Sequence, residues 1–151
     1  MIILLIVMTG LMAGIYFAFS IFLMKSFSEL PVQQAAQVMN KINDVIVNTW
    51  FLPLFFGSTL WYAALFVWSL ADWQQNQSML MVTAALVYII GMFLVTAFGN
   101  VPLNNALKAS ESNNELLERA WDIYLRKWTL LNHFRTISCI ASCIVLCIAL
   151  T

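Results

Sequence analysis

The chain has 151 residues, 62% of them hydrophobic and only 9% charged, with seven basic residues balancing seven acidic ones. A soluble domain carries roughly 25% charged residues, so a water-soluble fold is excluded. The expected surroundings are the lipid bilayer, and nucleic acid is not an expected partner.

Crossing hydrocarbon takes about 20 apolar residues at about 1.5 Å each. Four stretches meet that length, about 2–24, 48–71, 79–98 and 128–150. They predict an all-α protein, an integral membrane four-helix bundle, as a single transmembrane domain over residues 1–151. The first stretch has no basic residue before its apolar run, and its first charge, Lys25, follows it. It therefore reads as a retained span and not as a secretory signal. Gly10 and Gly14 form a GxxxG pair, through which another helix can approach closely.

Beyond Pro31, Ala35, Val38, Ile42 and Val45 recur at spacings of three and four. That predicts an amphipathic cytoplasmic helix between spans 1 and 2. Its polar face carries amides, with only Lys41 and Asp44 charged. A helix lying on a membrane surface usually carries more Lys and Arg, so packing against protein is expected. Pro53 falls in the first turn of span 2, where a missing N–H is harmless.

Span 3 runs into "TAFGNVPLNNAL", residues 96–107. Pro102 disfavours helical geometry at Val101 and removes one backbone hydrogen bond. A break around Gly99–Asn100 is expected, with Pro102 opening a new short helix. Thr96, Asn100 and Asn104 lie four residues apart. Two readings of the asparagines stay open: they satisfy the backbone at the break, or they also line a polar cavity. Ser112 and Glu115 have the spacing of a capping box. From there no proline or glycine interrupts the pattern, predicting one long helix that forms span 4. Cys139, Cys143 and Cys147 share a face of it and read as packing residues, not as a metal site.

On that helix a step of about 100° per residue brings Trp121, Tyr124, Trp128, Asn132 and Arg135 within an arc of about 80°. Lys127 and His133 point well away. Sixteen uncharged residues follow Arg135, about 24 Å of helix against a core of roughly 30 Å. Arg135 thus has two options at the sequence level. It can snorkel to the headgroups, or it can turn inward with Asn132, whose amide needs a partner at that depth. The shared arc favours the inward option.

All seven Lys and Arg residues lie in or beside the first and third connections, and "ADWQQNQS" has none. The positive-inside rule then places both long connections in the cytoplasm and both termini outside. The expected location is the cell membrane, the inner one in a bacterium. A homo-oligomer is compatible with the sequence.

"NVPLNNAL" followed by "WDIYLRKWTLLNHFR" resembles the anthrone oxygenase-like family of small membrane proteins. "LMAGIYFAFSIFLM" and "QVMNKINDVIVNTWFLPLFFGSTLW" are similar to its first and second segments. One departure stands out, because Thr49 occupies the place where the family often has proline between Asn48 and Trp50. The resemblance implies four membrane helices and oxidation of anthrones by dioxygen without a recognised cofactor. It singles out Asn100, Asn104, Trp121, Trp128, Asn132 and Arg135. In the enzyme reading, Arg135, Asn132 and Asn100 are the catalytic candidates, hydrogen-bonding a developing oxyanion. Asn104, Trp121, Tyr124, Trp128 and Thr96 are the candidates for binding a hydrophobic aromatic small molecule. No base is evident; His133, Asp122 and Tyr124 are weak candidates. The competing reading is a carrier, scaffold or accessory membrane protein that binds such a molecule without turning it over.

Overall fold

Backbone groups in hydrocarbon must be bonded within their own segment, so apolar runs of this length wind into helices. A computed structural model describes residues 2–151. The chain forms α1 (Ile2–Ser28), α2 (Val32–Ile46), α3 (Phe51–Ala71), α4 (Gln75–Ala109) and α5 (Asn114–Ile148). All but α2 are long and apolar enough to cross a membrane. At 35 residues each, α4 and α5 measure about 52 Å, roughly 20 Å more than the hydrocarbon they cross. That surplus is enough for the charged ends, around Lys108 and from Glu115 to Lys127, to extend beyond it.

The four long helices close a ring in which α1 packs on α5, α5 on α4, α4 on α3, and α3 on α1. One apolar cluster fills the half toward the start of α1, with Leu5, Met12, Tyr62, Tyr88, Met92 and Leu146 fully enclosed. A second lies toward α2 and gathers Phe19, Met24, Met39, Leu107, Trp121, Tyr124 and Trp128. Between helices, hydroxyls satisfy one another where no water reaches. The Tyr62 hydroxyl receives a hydrogen bond from Ser142 Oγ at 2.9 Å and lies 3.0 Å from Thr9 Oγ1.

α2 plugs the end from which α4 and α5 project, packing on α5, on the last turns of α4 and on the end of α1. Asn40 Nδ2 donates to Glu111 Oε1 at 2.6 Å, and Lys108 pairs with Asp44. The buried face of α2 consists of Ala35, Ala36, Met39 and Asn40, while Val38 and Val45 are exposed. The expected stripe is therefore rotated, because small Ala36 and polar Asn40 take close-packed places that hydrophobicity alone assigns to valine.

Three more expectations are corrected. α4 does not break at Gly99–Asn100; Asn100 and Val101 are both right-handed helical. Two wide π-type turns, Ile89–Leu94 and Thr96–Asn100, precede Pro102 and accommodate it, with Val101 N–H donating to the Thr96 carbonyl five residues back. Such turns commonly appear at functional sites. At the start of α5 the capping residue is Asn113, not Ser112, and its Oδ1 accepts from Leu116 N–H at 3.1 Å. Gly10 and Gly14 meet no neighbour, since a Cβ at either has nothing within 4 Å.

Close approach occurs instead at the α4–α5 seam, where a Cβ at Gly91 would lie 2.6 Å from Ser138 Cβ. Gly91→Ala is expected to cost about 1–3 kcal/mol through overpacking, whereas Gly10→Ala changes stability by about 0.5 kcal/mol or less. Thermal unfolding of the two purified variants in detergent measures the contrast.

Candidate functional site

The buried face of α5 carries Trp121, Tyr124, Trp128, Asn132 and Arg135 in one line. Trp121, Tyr124 and Trp128 stack successively, with ring centroids 5.8 and 5.7 Å apart and planes within 20°. Their polar ends converge on α4. Asn104 Oδ1 accepts from both Tyr124 Oη and Trp128 Nε1, each at 2.9 Å. One turn earlier on α4, Asn100 Nδ2 donates to the Trp128 carbonyl at 3.2 Å. Because a carbonyl accepts and an indole N–H donates, these partners fix which way both amides face.

Arg135 is only 4% exposed, which decides against the snorkelling alternative. Its Nη2 donates to Asn132 Oδ1 at 2.7 Å, and its Nη1 lies 3.4 Å from Thr96 Oγ1. The guanidinium carbon sits 4.3 Å from the Tyr16 ring centroid and 4.9 Å from that of Trp128. Cation–π attraction of this kind contributes about 2 kcal/mol when desolvated. No acid joins it. The ion pairs among the described residues are Lys108–Asp44, Arg119–Glu115 and Arg126–Asp122, all at exposed side chains.

Asn132 is the keystone behind Arg135. Fully buried, it donates through Nδ2 to the Tyr16 carbonyl and to Ser20 Oγ, both at 2.7 Å, while its Oδ1 holds Arg135. Ser20 lies within a third wide turn, Phe19–Leu23 of α1, and contacts Thr136 Oγ1 at 3.1 Å. Asn132 thus ties α1 to the guanidinium and uses both of its polar atoms in doing so.

A cavity of about 210 Å³ lies beside these groups. Its polar wall consists of Thr96, Asn100, Asn104 and Arg135, together with Asn43 from α2. Trp128 and Tyr16 supply aromatic surface, and Phe19, Phe51, Phe55 and Phe56 complete it. Asn132, Trp121 and Tyr124 do not line the cavity; they stand behind or beyond it. His133 and Asp122 are not on its wall either. Ligand sites typically run about 300–1,000 Å³, so this one suits a small, flat molecule.

Three buried polar atoms without a protein hydrogen bond belong to residues of this wall: Arg135 Nε, Asn100 Oδ1 and Asn43 Nδ2. Each of these atoms is enclosed by protein with its hydrogen-bonding capacity unused. Sequence reading missed Tyr16, Asn43 and the phenylalanines of α3. Tyr16 carried a signal, being a polar-tipped ring near the middle of an uncharged span. Asn43 did too, as an amide one turn from Met39 on the same helix.

A family model for anthrone oxygenase matches residues 46–145, from the end of α2 through most of α5. The chain belongs to the anthrone oxygenase family. The match covers most of the cavity wall; Ile15, Tyr16, Phe19, Met39, Ile42 and Asn43 precede it. Comparisons with curated proteins and with solved structures returned no match. The chain is thus a multi-pass membrane protein of this family.

The arrangement makes Asn132 a support and Arg135 a dependent. Asn132→Leu leaves a buried cation short of a partner and is expected to cost about 1–3 kcal/mol. Adding Arg135→Leu to that variant should restore much of the loss, because apolar replacement of a buried charge is often neutral or stabilising. Unfolding of the single and double variants in micelles would show a clear departure from additivity.

Proposed function

We propose that the cavity binds a small anthrone- or phenol-like aromatic as its anion, and that dioxygen oxidises it there without a metal or organic cofactor. The observation that carries this reading is a guanidinium buried without a carboxylate on the wall of an apolar cavity. A buried cation is costly until something negative joins it. An enolate or phenolate supplies that charge and brings a flat ring to the surfaces of Trp128, Tyr16 and Phe55.

The chemistry balances with dioxygen alone. An anthrone loses a proton from the methylene opposite its carbonyl, and the negative charge moves onto oxygen. The enolate passes one electron to dioxygen, and the carbon radical and superoxide combine into a peroxide at that carbon. Loss of the second C–H proton with cleavage of the O–O bond leaves a new carbonyl and releases water. Arg135 would hold the substrate oxygen, and a preorganised donor of this kind contributes about 10²–10³ in rate.

No His, Asp or Glu lines the cavity, and all seven acidic residues of the chain are exposed. The reading therefore assigns deprotonation to solvent and the holding of the anion to the protein. It also gives weight to a second reading, a carrier that binds the same anion and does not oxidise it. In both, the charged ends of α4 and α5 with α2 face the cytoplasm of the cell membrane and both termini lie outside, by the distribution of Lys and Arg.

Oxygen uptake by purified protein with emodin anthrone separates the two readings. The enzyme consumes oxygen in proportion to protein, and its rate rises with pH along the ionisation of the substrate and not of a protein group. The carrier quenches tryptophan fluorescence with the ligand and consumes none. Arg135→Leu is expected to insert and fold normally, yet to lose ligand binding by at least about tenfold, the loss of one charge-assisted hydrogen bond. Binding at the wild-type level in that variant would remove the basis of the proposal.

A further inference from the structure

The cavity has an inside and a rim of different chemistry. Its polar residues, Arg135, Asn100, Asn104, Thr96 and Asn43, are all buried or half-buried. Three residues of the wall are exposed, and all are apolar: Val47 at 49%, Phe56 at 48% and Val101 at 41%. Phe56 stands between one and two turns into α3, and Val101 on α4 follows Phe98, which is 79% exposed. A mouth that served a ligand dissolved in water would carry polar groups at its rim, as water-facing surfaces of membrane proteins do.

Helix packing explains the opening. α3 packs on α4 along Gln75–Leu94, and that packing falls away along Thr96–Ala109. The separation begins where α4 takes its wide turns, and α2 comes no closer to α3 than their connecting turn. The result is a side window between α3 and α4, framed by Phe56 and Val101.

We infer that this window is a lateral mouth through which an uncharged, membrane-dissolved aromatic enters from the bilayer, with Phe56 and Val101 as its gateposts. This rests on the reading of the cavity as a ligand site and adds where the ligand comes from. A neutral molecule partitions into hydrocarbon, slides past the apolar rim and meets Arg135 at the far wall. Its proton passes to solvent only once the ring is in the cavity, where Arg135 holds the anion, so the neutral form is the one that travels. A sulfonated analogue of the same ring, held in water by its charge, should reach the site poorly.

Full-length protein reconstituted in phosphatidylcholine vesicles tests this, with anthrone as the probe and tryptophan quenching read by stopped flow. At equal aqueous concentration, the association rate should rise across a series of alkylated anthrones in step with their partition into the lipid. Phe56→Ala should associate faster and Val101→Trp slower, each by about tenfold, within the usual range for variants of one binding surface. Anthrone 2-sulfonate should quench slowly in vesicles. A rate set by the aqueous concentration, or gatepost variants that both associate at the wild-type rate, overturns the lateral mouth while leaving the site intact. Absence of quenching in vesicles and in detergent alike overturns the site itself, and the mouth with it.

Discussion

A positive charge kept away from both water and acid organises one half of this protein. Arg135 lies in the bundle with an amide, a hydroxyl and two aromatic faces for company. None of these neutralises it. Taking an arginine out of water costs several kcal/mol even after relaxation, and each neighbour offsets a part. Asn132 orients it, Tyr16 and Trp128 cover it, and the wide turn of α1 brings Ser20 and the Tyr16 carbonyl to Asn132. On the proposed function, what the protein leaves uncompensated is met by the ligand, and stability and ligand binding are in tension at this residue.

The other half is bonded differently. Around Tyr62, Tyr88, Ser58, Thr9 and Ser142, hydroxyl meets hydroxyl or carbonyl, and Tyr62 and Tyr88 stack with centroids 4.2 Å apart. That region is closed by its own bonds, while the region facing α2 keeps Arg135 Nε, Asn100 Oδ1 and Asn43 Nδ2 unbonded. Interhelical hydrogen bonds in membranes contribute about 0.6 kcal/mol on average, so the hydroxyl half is held mainly by fit. One end of the bundle is a scaffold, and the other end is an opening onto the cavity.

Much of this was legible in the sequence, for reasons that also set its limits. Hydropathy and length marked the four spans because hydrocarbon thickness leaves little choice. Rotation along α5 grouped Trp121, Tyr124, Trp128, Asn132 and Arg135, since an uninterrupted helix keeps its phase. Phase within one helix does not say what lies opposite it, so the partnership of Arg135 with Tyr16 could not be read. Nor could the different stations of Asn132, which stands behind the cavity, and Asn100, which faces it. The rule against helical backbone before proline failed at Val101 because the turn ahead of it widened, and nothing in "TAFGNVP" announces a widened turn. Ala36 and Asn40 on α2 were overlooked for valines because contact in a tight seam rewards small size more than hydrophobicity.

The widened turns of α4 carry a further consequence for how such a chain changes over time. Each is equivalent to one extra residue threaded into an otherwise regular helix, so everything beyond it is wound about 100° from where uniform coiling would set it. Asn104 and Val101 owe their bearing to that surplus. Loss of a single codon within that turn would return the helix to regular coiling with the carboxamide still in place, whereas loss of one from the regular turn beyond it would swing the carboxamide away. In this molecule, length along one helix is as much a determinant of chemistry as the identity of any side chain on it.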